Sequence, residues 1–330
     1  MTKRVLVTGG AGFIGSHVVD RLVESGYRVR VLDNLLTGKL ENLKQHQSYS
    51  QVEFVKGDVR DAKLVKKSVR DVDAVIHLAA LTSVPFSIEN PDLTFAVNVG
   101  GTINLLSSCA KQKVGKFVFV SSCAVYGEPE SLPVTEEHLT RPMSPYADSK
   151  LAGEKYCLGF HEKGLLRSVA LRFFNVYGVR QVMNDYCGVI ARFIDRGRRG
   201  LSLVVYGDGM QTRDFVNVND VADAVLSSVE NSNSEGEVFN VGFGAPTSIN
   251  DLARAVMECS GLNLEVVHEE PRLGDIKHSY ADISKAENLL GYEPTVSLRD
   301  GLRTLLAEKQ VDKQLCRRQM GWRMSWQGEK

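Results

Sequence analysis

The sequence predicts an α/β fold, a doubly wound parallel sheet followed by a smaller C-terminal α/β substrate lobe. Three observations carry this expectation. Short, continuous apolar runs alternate with amphipathic stretches up to about residue 176, the pattern of a parallel sheet buried on both faces. A glycine-rich turn directly follows the first apolar run. Beyond about residue 176 the regular alternation stops.

The strands fall at 4–8, 28–33, 52–58, 74–80, 117–122 and 168–176, each rich in β-branched and aromatic residues. Helical periodicity fills the intervals at 13–25, 61–70, 91–112 and 146–163. In the second part, 202–209 and 237–244 read as strands, and 186–197, 219–230, 249–260, 282–290 and 298–309 as helices. The expected organisation is a nucleotide-binding domain over 1–175 and a substrate lobe over 176–311, with about 214–242 returning to the first sheet. The tail, 312–330, is basic and carries Trp322 and Trp326; such a segment is expected to dock on its own protein.

The chain has 330 residues, forty acidic and forty basic. That length supports a large core, and the balance of charge points to no extended nucleic-acid or membrane surface. The six cysteines form no CxxC pair and mostly sit in apolar segments, which fits reduced thiols in the cytoplasm. The N-terminal apolar run is too short for a signal peptide, and no segment is expected to reach the ~20 apolar residues of a membrane span. The seven histidines are scattered without metal-ligand spacing, so no metal is expected.

Two motifs carry chemistry. In TGGAGFIGS, Gly9, Gly12 and Gly15 recur every three residues between a strand and a helix. Such a turn lets a pyrophosphate approach the backbone and the N–H groups that open the helix. Asp33, ending the second strand, suits a ribose 2′-hydroxyl and repels a 2′-phosphate, and Asn34 offers no cation; the cofactor is read as NAD rather than NADP. Asp58 in GDVRD stands where adenine can be hydrogen-bonded, or where a turn needs a cap. In SPYADSK, Pro145 opens a helix that ends at Gly164, and Tyr146 and Lys150 share one helical face. A phenol titrates near ~10, and a neighbouring ammonium lowers that value. Reaching ~7 takes about 4 kcal/mol of differential stabilisation. Alone, this spacing also fits an ordinary amphipathic helix with a surface lysine.

Taken in order, the glycine turn, Asp33, GDVRD (57–61), HLAA (77–80), VSSCAVYG (120–127) and YxxxK resemble an extended short-chain dehydrogenase/reductase. LRFFNVYGVRQ (171–181), YGDGMQTRDFVNVNDVADAV (206–225) and PRLGDIKHSYADISKAENLLGYEP (271–294) extend the resemblance over about 3–306. They narrow it to the nucleotide-sugar branch, the NAD-dependent epimerase/dehydratases.

The resemblance implies a Rossmann domain with Tyr146 as acid/base, Lys150 as its partner on the nicotinamide ribose, and Ser122 as the catalytic serine beside Ser121. It implies further cofactor contacts from Phe13 and Ile14 in the glycine turn, Val59 beside Asp58, Leu78, Ala79 and Ala80 after the fourth strand, and Phe173. Asn98 is expected to be structural. For substrate, it implies Asn175, Arg213 and Arg272 on a nucleoside diphosphate and Asp275 on its ribose. Val189 and Val205 are expected at the base, and Ser83, Phe86 and Ser279 near the sugar.

The expected reaction is NAD-dependent 4-epimerisation of a UDP-hexose through a 4-keto intermediate. Cys123 and Ala124 stand where dehydratases carry two carboxylates and decarboxylases a glutamate, so the acid/base pair for removing water is missing. A UDP-glucuronate epimerase or decarboxylase, a 4,6-dehydratase, and a non-catalytic dinucleotide-sensing module are the alternatives. The small Ser279 is expected to admit 2-N-acetyl sugars, and the helices at 91–112 and 146–163 to form a homodimer.

Overall fold

A computed structural model describes residues 3–46, 51–181, 188–271 and 274–307. The first half holds strands β1 (Arg4–Thr8), β2 (Arg28–Asp33), β3 (Val52–Lys56), β4 (Ala74–His77), β5 (Lys116–Ser122) and β6 (Ser168–Phe173). Helices α1 (Phe13–Glu24), α2 (Ala62–Ser68), α3 (Val84–Glu89), α4 (Pro91–Phe95), α5 (Gly101–Gln112) and α6 (Pro145–Glu162) lie between them. The second half follows as β7 (Asn175–Tyr177), α7 (Val189–Arg198), β8 (Leu203–Tyr206), β9 (Thr212–Arg213), β10 (Phe215–Asn217), α8 (Val218–Glu230) and β11 (Val238–Val241). It closes with β12 (Thr247–Ser248), α9 (Ile249–Ser260), β13 (Val266–Glu269), α10 (Ser284–Leu290) and α11 (Leu298–Ala307).

Seven parallel strands form the main sheet in the order β11-β6-β5-β4-β1-β2-β3. Successive residues of β1 serve opposite faces: Val5 and Val7 join the core under α1 and α8, Leu6 the core under α2, α5 and α6. Both faces are therefore dry, which is why the strands read as continuous apolar runs. The strand order reverses beside β1, whose neighbours are β2 and β4. The chain leaving β1 and the chain leaving β4 therefore run to helices on opposite faces of the sheet, and this switch point is where such sheets bind ligands. The smaller lobe packs α7, α9 and α11 around β8, with a core of its own.

Four features depart from the sequence reading. The expected strand 168–176 breaks at Phe174, and its last residues form β7, which pairs with β10 outside the main sheet. Between the expected strand 74–80 and the expected helix 91–112 the chain adds α3, capped by Ser83, whose Oγ accepts from Phe86 N at 3.2 Å. The expected helix 91–112 is interrupted by a π-turn at Ala96–Gly100. The stretch Pro91–Gln112 is nevertheless long and apolar enough, by length and composition, to cross a membrane, contrary to the expectation of no such segment. Here its parts pack on α2 and α6. Trp322, Trp326, Cys187 and Cys316 lie outside the described residues.

Candidate active site

The cofactor end is shaped by backbone. Gly9 has φ +72°, and a Cβ on it would lie 2.8 Å from Ala79 N. A Cβ on Gly15 would lie 2.1 Å from Gly9 O. Neither position tolerates a side chain, so β1, the turn and the loop after β4 close tightly on one another. Helix α1 starts with Gly12 at its N-cap, with no side-chain cap and no acid in its first turn. Its opening N–H groups therefore remain available to an anion. Asp33 is buried, and its carboxylate accepts from Ala11 N at 3.0 Å and Leu35 N at 2.8 Å. Burial raises its pKa against the pull of those two N–H groups. Phe13, Ile14, Leu78, Ala79 and Ala80 are partly exposed around this turn. An uncapped helix start, a tight glycine turn and a positioned carboxylate together fit a dinucleotide.

Asp58 is already engaged. Arg60 binds it through Nε at 2.9 Å and Nη2 at 2.8 Å, and Asn34 Nδ2 donates at 3.2 Å. These bonds, Arg60 first, hold its pKa down to about 2. Asp58 Oδ1 also accepts from Arg60 N at 2.9 Å, the bond of a local turn. Val59 is buried beneath Gly101, and Phe173 belongs to the core.

At the catalytic end, Ser144 caps α6 by accepting from Ala147 N at 3.2 Å, and Pro145 occupies its first turn. Tyr146 and Lys150 share the face of α6 that meets β5. The Tyr146 phenol faces Ser122, and Tyr146 N donates to Ser87 Oγ at 3.1 Å, docking α3 on α6. Lys150 is only 4 % exposed, and its Nζ donates to Val120 O at 2.9 Å. The net shift of the Tyr146 phenol is upward, and burial rather than a neighbouring ammonium sets it. Burial drives the phenol up to about 12, and the nearby Ser122 hydroxyl offsets only part of that. Burial likewise brings the ammonium down to about 8. Beside Ser122, Ser121 Oγ is buried without a hydrogen-bond partner.

The nucleotide end is a cavity of about 340 Å³ between α7, β8 and the segment at Asp275. Asn175, Val189, Arg213 and Asp275 all line it. Arg213 Nη2 pairs with Asp275, while its Nη1 donates to Thr212 O at 2.8 Å. Asp214, next in sequence, is fully buried and accepts from Phe243 N at 2.7 Å and from Gly244 N and Ala281 N at 3.0 Å. Burial moves its pKa up to about 6 against these three bonds.

The sequence profile of the NAD dependent epimerase/dehydratase family matches residues 5–242. The chain belongs to that family. Its cofactor is NAD. The UDP-glucose 4-epimerase of Mycolicibacterium smegmatis is 39% identical over 301 residues, 91% of this chain and 96% of the relative. The UDP-N-acetylglucosamine 4-epimerase of Methanobrevibacter ruminantium, solved with UDP-N-acetylmuramic acid, superposes with TM-score 0.88 at 39% identity, covering 92% and 97% of the two chains. The UDP-glucuronic acid 4-epimerase of Bacillus cereus, solved with UDP-glucuronic acid and NAD, superposes with TM-score 0.86 at 36% identity, covering 92% and 98%.

Within this epimerase/dehydratase three expected substrate residues need comment. Val205 is fully buried in the lobe core, and its neighbours Val204 and Tyr206 face the cavity instead. Adjacent residues of a strand face opposite ways, so the expectation was one residue out of register. Ser279 is nearly buried and is not among the cavity walls; its N–H donates to Thr212 O at 3.2 Å. Arg272 lies outside the described residues. Arg192, Gln211 and Glu269 line the cavity without having been singled out. Gln211 stands inside the YGDGMQTRDF run that carried the resemblance, whereas Arg192 reads in sequence as one more basic residue on an amphipathic helix.

Proposed function

We propose that this protein is an NAD-dependent UDP-sugar 4-epimerase, inverting C4 of a UDP-hexose through a transient 4-keto sugar. One observation carries the reading: the Ser122–Tyr146 hydroxyl pair stands beside Cys123 and Ala124, where no carboxylate is present. Burial holds the Cys123 thiol up to about 12, so it provides no base at neutral pH. Tyr146 takes the proton of the C4 hydroxyl and later returns it, with Ser122 bridging the two oxygens. Bound NAD supplies the hydride acceptor at C4 and, when oxidised, a positive charge. A positive charge beside Tyr146 opposes the burial that raises its pKa, so the phenolate comes within reach. Lys150, anchored on Val120 O, adds a second cation on the same helical face.

Arg213 and Asn175 suit the diphosphate and Asp275 the ribose, because guanidinium donors match phosphate oxygens. The substrate range includes N-acetylated UDP-hexoses. The small side chain at Ser279 and the likeness to a UDP-N-acetylglucosamine 4-epimerase support this. A homodimer is part of the proposal. Ile88, Leu93, Phe95 and Tyr156 leave apolar surface exposed on α3, α4 and α6, which pack together.

The test is incubation with UDP-glucose, UDP-galactose, their N-acetyl counterparts and UDP-glucuronate, with products identified by chromatography and mass. C4 epimers of unchanged mass are expected. Loss of 18 mass units marks a dehydratase and loss of 44 a decarboxylase, in roughly stoichiometric yield, and either sinks the proposal. Ser279→Tyr is expected to remove the N-acetyl activity selectively; equal loss on both sugar pairs refutes that role.

A further inference from the structure

His77 ends β4, nearly fully buried between the cofactor turn and the π-turn, and no step above uses it. Its Nδ1 lies 2.7 Å from Thr8 Oγ1 and its Nε2 2.9 Å from Thr102 Oγ1. Each flanking hydroxyl has a second partner whose role is fixed. Thr102 Oγ1 lies 2.5 Å from Asn98 O, and a carbonyl only accepts, so the Thr102 proton goes there. Thr102 oxygen must then accept from His77, which places the ring proton on Nε2. Nδ1 is left as an acceptor and takes the proton of Thr8. Thr8 oxygen in turn accepts from Ala79 N at 3.3 Å. The hydrogen bonds thus run in one direction from Ala79 N–H through Thr8, His77 and Thr102 to Asn98 C=O. Burial, together with the nearby charge of Lys150, lowers the His77 pKa to about 3 and keeps the ring neutral, as this pattern requires.

Both ends of the chain meet the site. Ala79 abuts Gly9 in the cofactor turn. At the other end, Asn98 Oδ1 accepts from Leu81 N at 2.8 Å, and its Nδ2 donates to Leu81 O and to Ser149 Oγ, each at 2.9 Å. Ser149 Oγ donates to Tyr146 O at 2.7 Å. Thr8, His77, Thr102, Asn98 and Ser149 are all buried, and water does not compete for these bonds.

We propose that His77 is a positioning residue that couples the cofactor turn to the first turn of α6, so that occupancy of the dinucleotide site and the placement of Tyr146 depend on each other. The kinetic half of this rests on the acid/base role proposed for Tyr146; the binding half does not. Thr102 touches neither the glycine turn nor Tyr146 in the chain of bonds above. NAD titrated into nucleotide-free Thr102→Val is nevertheless expected to bind roughly fivefold or more weakly than to wild type. Thr102→Ser, which restores the hydroxyl, is expected to bind as wild type does. At saturating NAD, Thr8→Val is expected to lower kcat with little change in the sugar KM. The double variant is expected to be no worse than the poorer single one, since either substitution breaks the same chain. In nitrogen-15 spectra of the wild type, the imidazole signal moved by Thr102→Ser is expected to be a neutral Nε2–H tautomer that shifts when NAD binds. A lower melting temperature for Thr102→Val with NAD affinity unchanged overturns the proposal, as does an Nδ1–H or doubly protonated ring. Should Thr102→Val not fold, the tautomer and its response to NAD decide the matter in the wild type. Normal turnover in Tyr146→Phe, by contrast, removes only the kinetic half.

Discussion

The two ends of the crevice are built from different materials. At the cofactor end, the shape is set by backbone against backbone, as where Gly15 approaches Gly9, and by buried hydrogen bonds such as Thr8–His77, with Asp33 held by two backbone N–H groups. At the nucleotide end, the cavity is walled by charged side chains on short elements, and Arg213 already spends one arm on Asp275. A backbone cradle keeps its shape whether or not a ligand is present. An ion pair must be exchanged for a ligand's charges, so what it gives in affinity is the difference between two interactions. The first end should therefore respond to substitution steeply, the second gradually and with salt.

The largest expected effect tests whether the catalytic residues behave as part of the rigid end. Tyr146→Phe is expected to lower turnover by at least ~10²-fold, the scale of a lost general acid/base. NAD affinity should change little, because the phenol faces Ser122 rather than the glycine turn. Near-wild-type turnover would remove Tyr146 from the chemistry. Next in size is Asp33→Ala, expected to weaken NAD by about tenfold, the scale of a charge-assisted hydrogen bond. Its preference for NAD over NADP should narrow in parallel titrations. A wild type that binds both cofactors equally contradicts the reading of Asp33.

A smaller effect is expected across the cleft. Arg213→Ala should raise the sugar-nucleotide KM several-fold to about tenfold and leave NAD affinity unchanged. The wild-type KM should climb with ionic strength while NAD affinity moves less. Equal salt sensitivity at both ends would erase the contrast. The smallest effect on activity, but a measurable one on stability, belongs to Asp214. Its folded pKa of about 6 exceeds the ordinary 3.8, so between these values the unfolded chain has released a proton that the folded one retains. Stability from this group is present below pH 4 and is lost as pH rises toward about 6, on the order of 3 kcal/mol at most. The unfolding free energy of wild type relative to Asp214→Asn should fall across that window in chemical denaturation. A difference that stays constant with pH shows that the three N–H groups hold the carboxylate at its usual pKa.

The same contrast explains what could be read from the sequence. Strand order, helix caps and the glycine turn are local or periodic properties. A run such as FVFVSS dictates a buried strand wherever it lies, and Pro145 behind Ser144 dictates a helix start. Long-range pairing leaves weaker marks. The chain breaks at Phe174 because β7 finds β10, about forty residues further on, and nothing within SVALRFFNV announces that partner. The exchange of Val205 for Val204 arose because an apolar run with no polar alternation does not reveal which side faces a cavity. For Tyr146, spacing correctly suggested a shared face with Lys150. The sign of the pKa shift depended on burial and on where Nζ points, which is settled by Val120 O across the helix–strand interface.

The seventh strand of the main sheet has a consequence for anyone who would cut or graft this molecule. β11 reaches its place beside β6 only after the chain has passed through β8, β9 and β10 of the smaller lobe. A fragment ending at residue 175 would expose the outer edge of β6, a strand whose six residues are all buried in the intact chain. Such an edge is a template for pairing between copies. The substrate lobe is thus not a cassette. Exchanging it between relatives to alter sugar choice calls for at least three splices, one before α7, one after β10 and one after β11, because α9 and α11 follow β11 while α8 and β11 stay with the half that they complete.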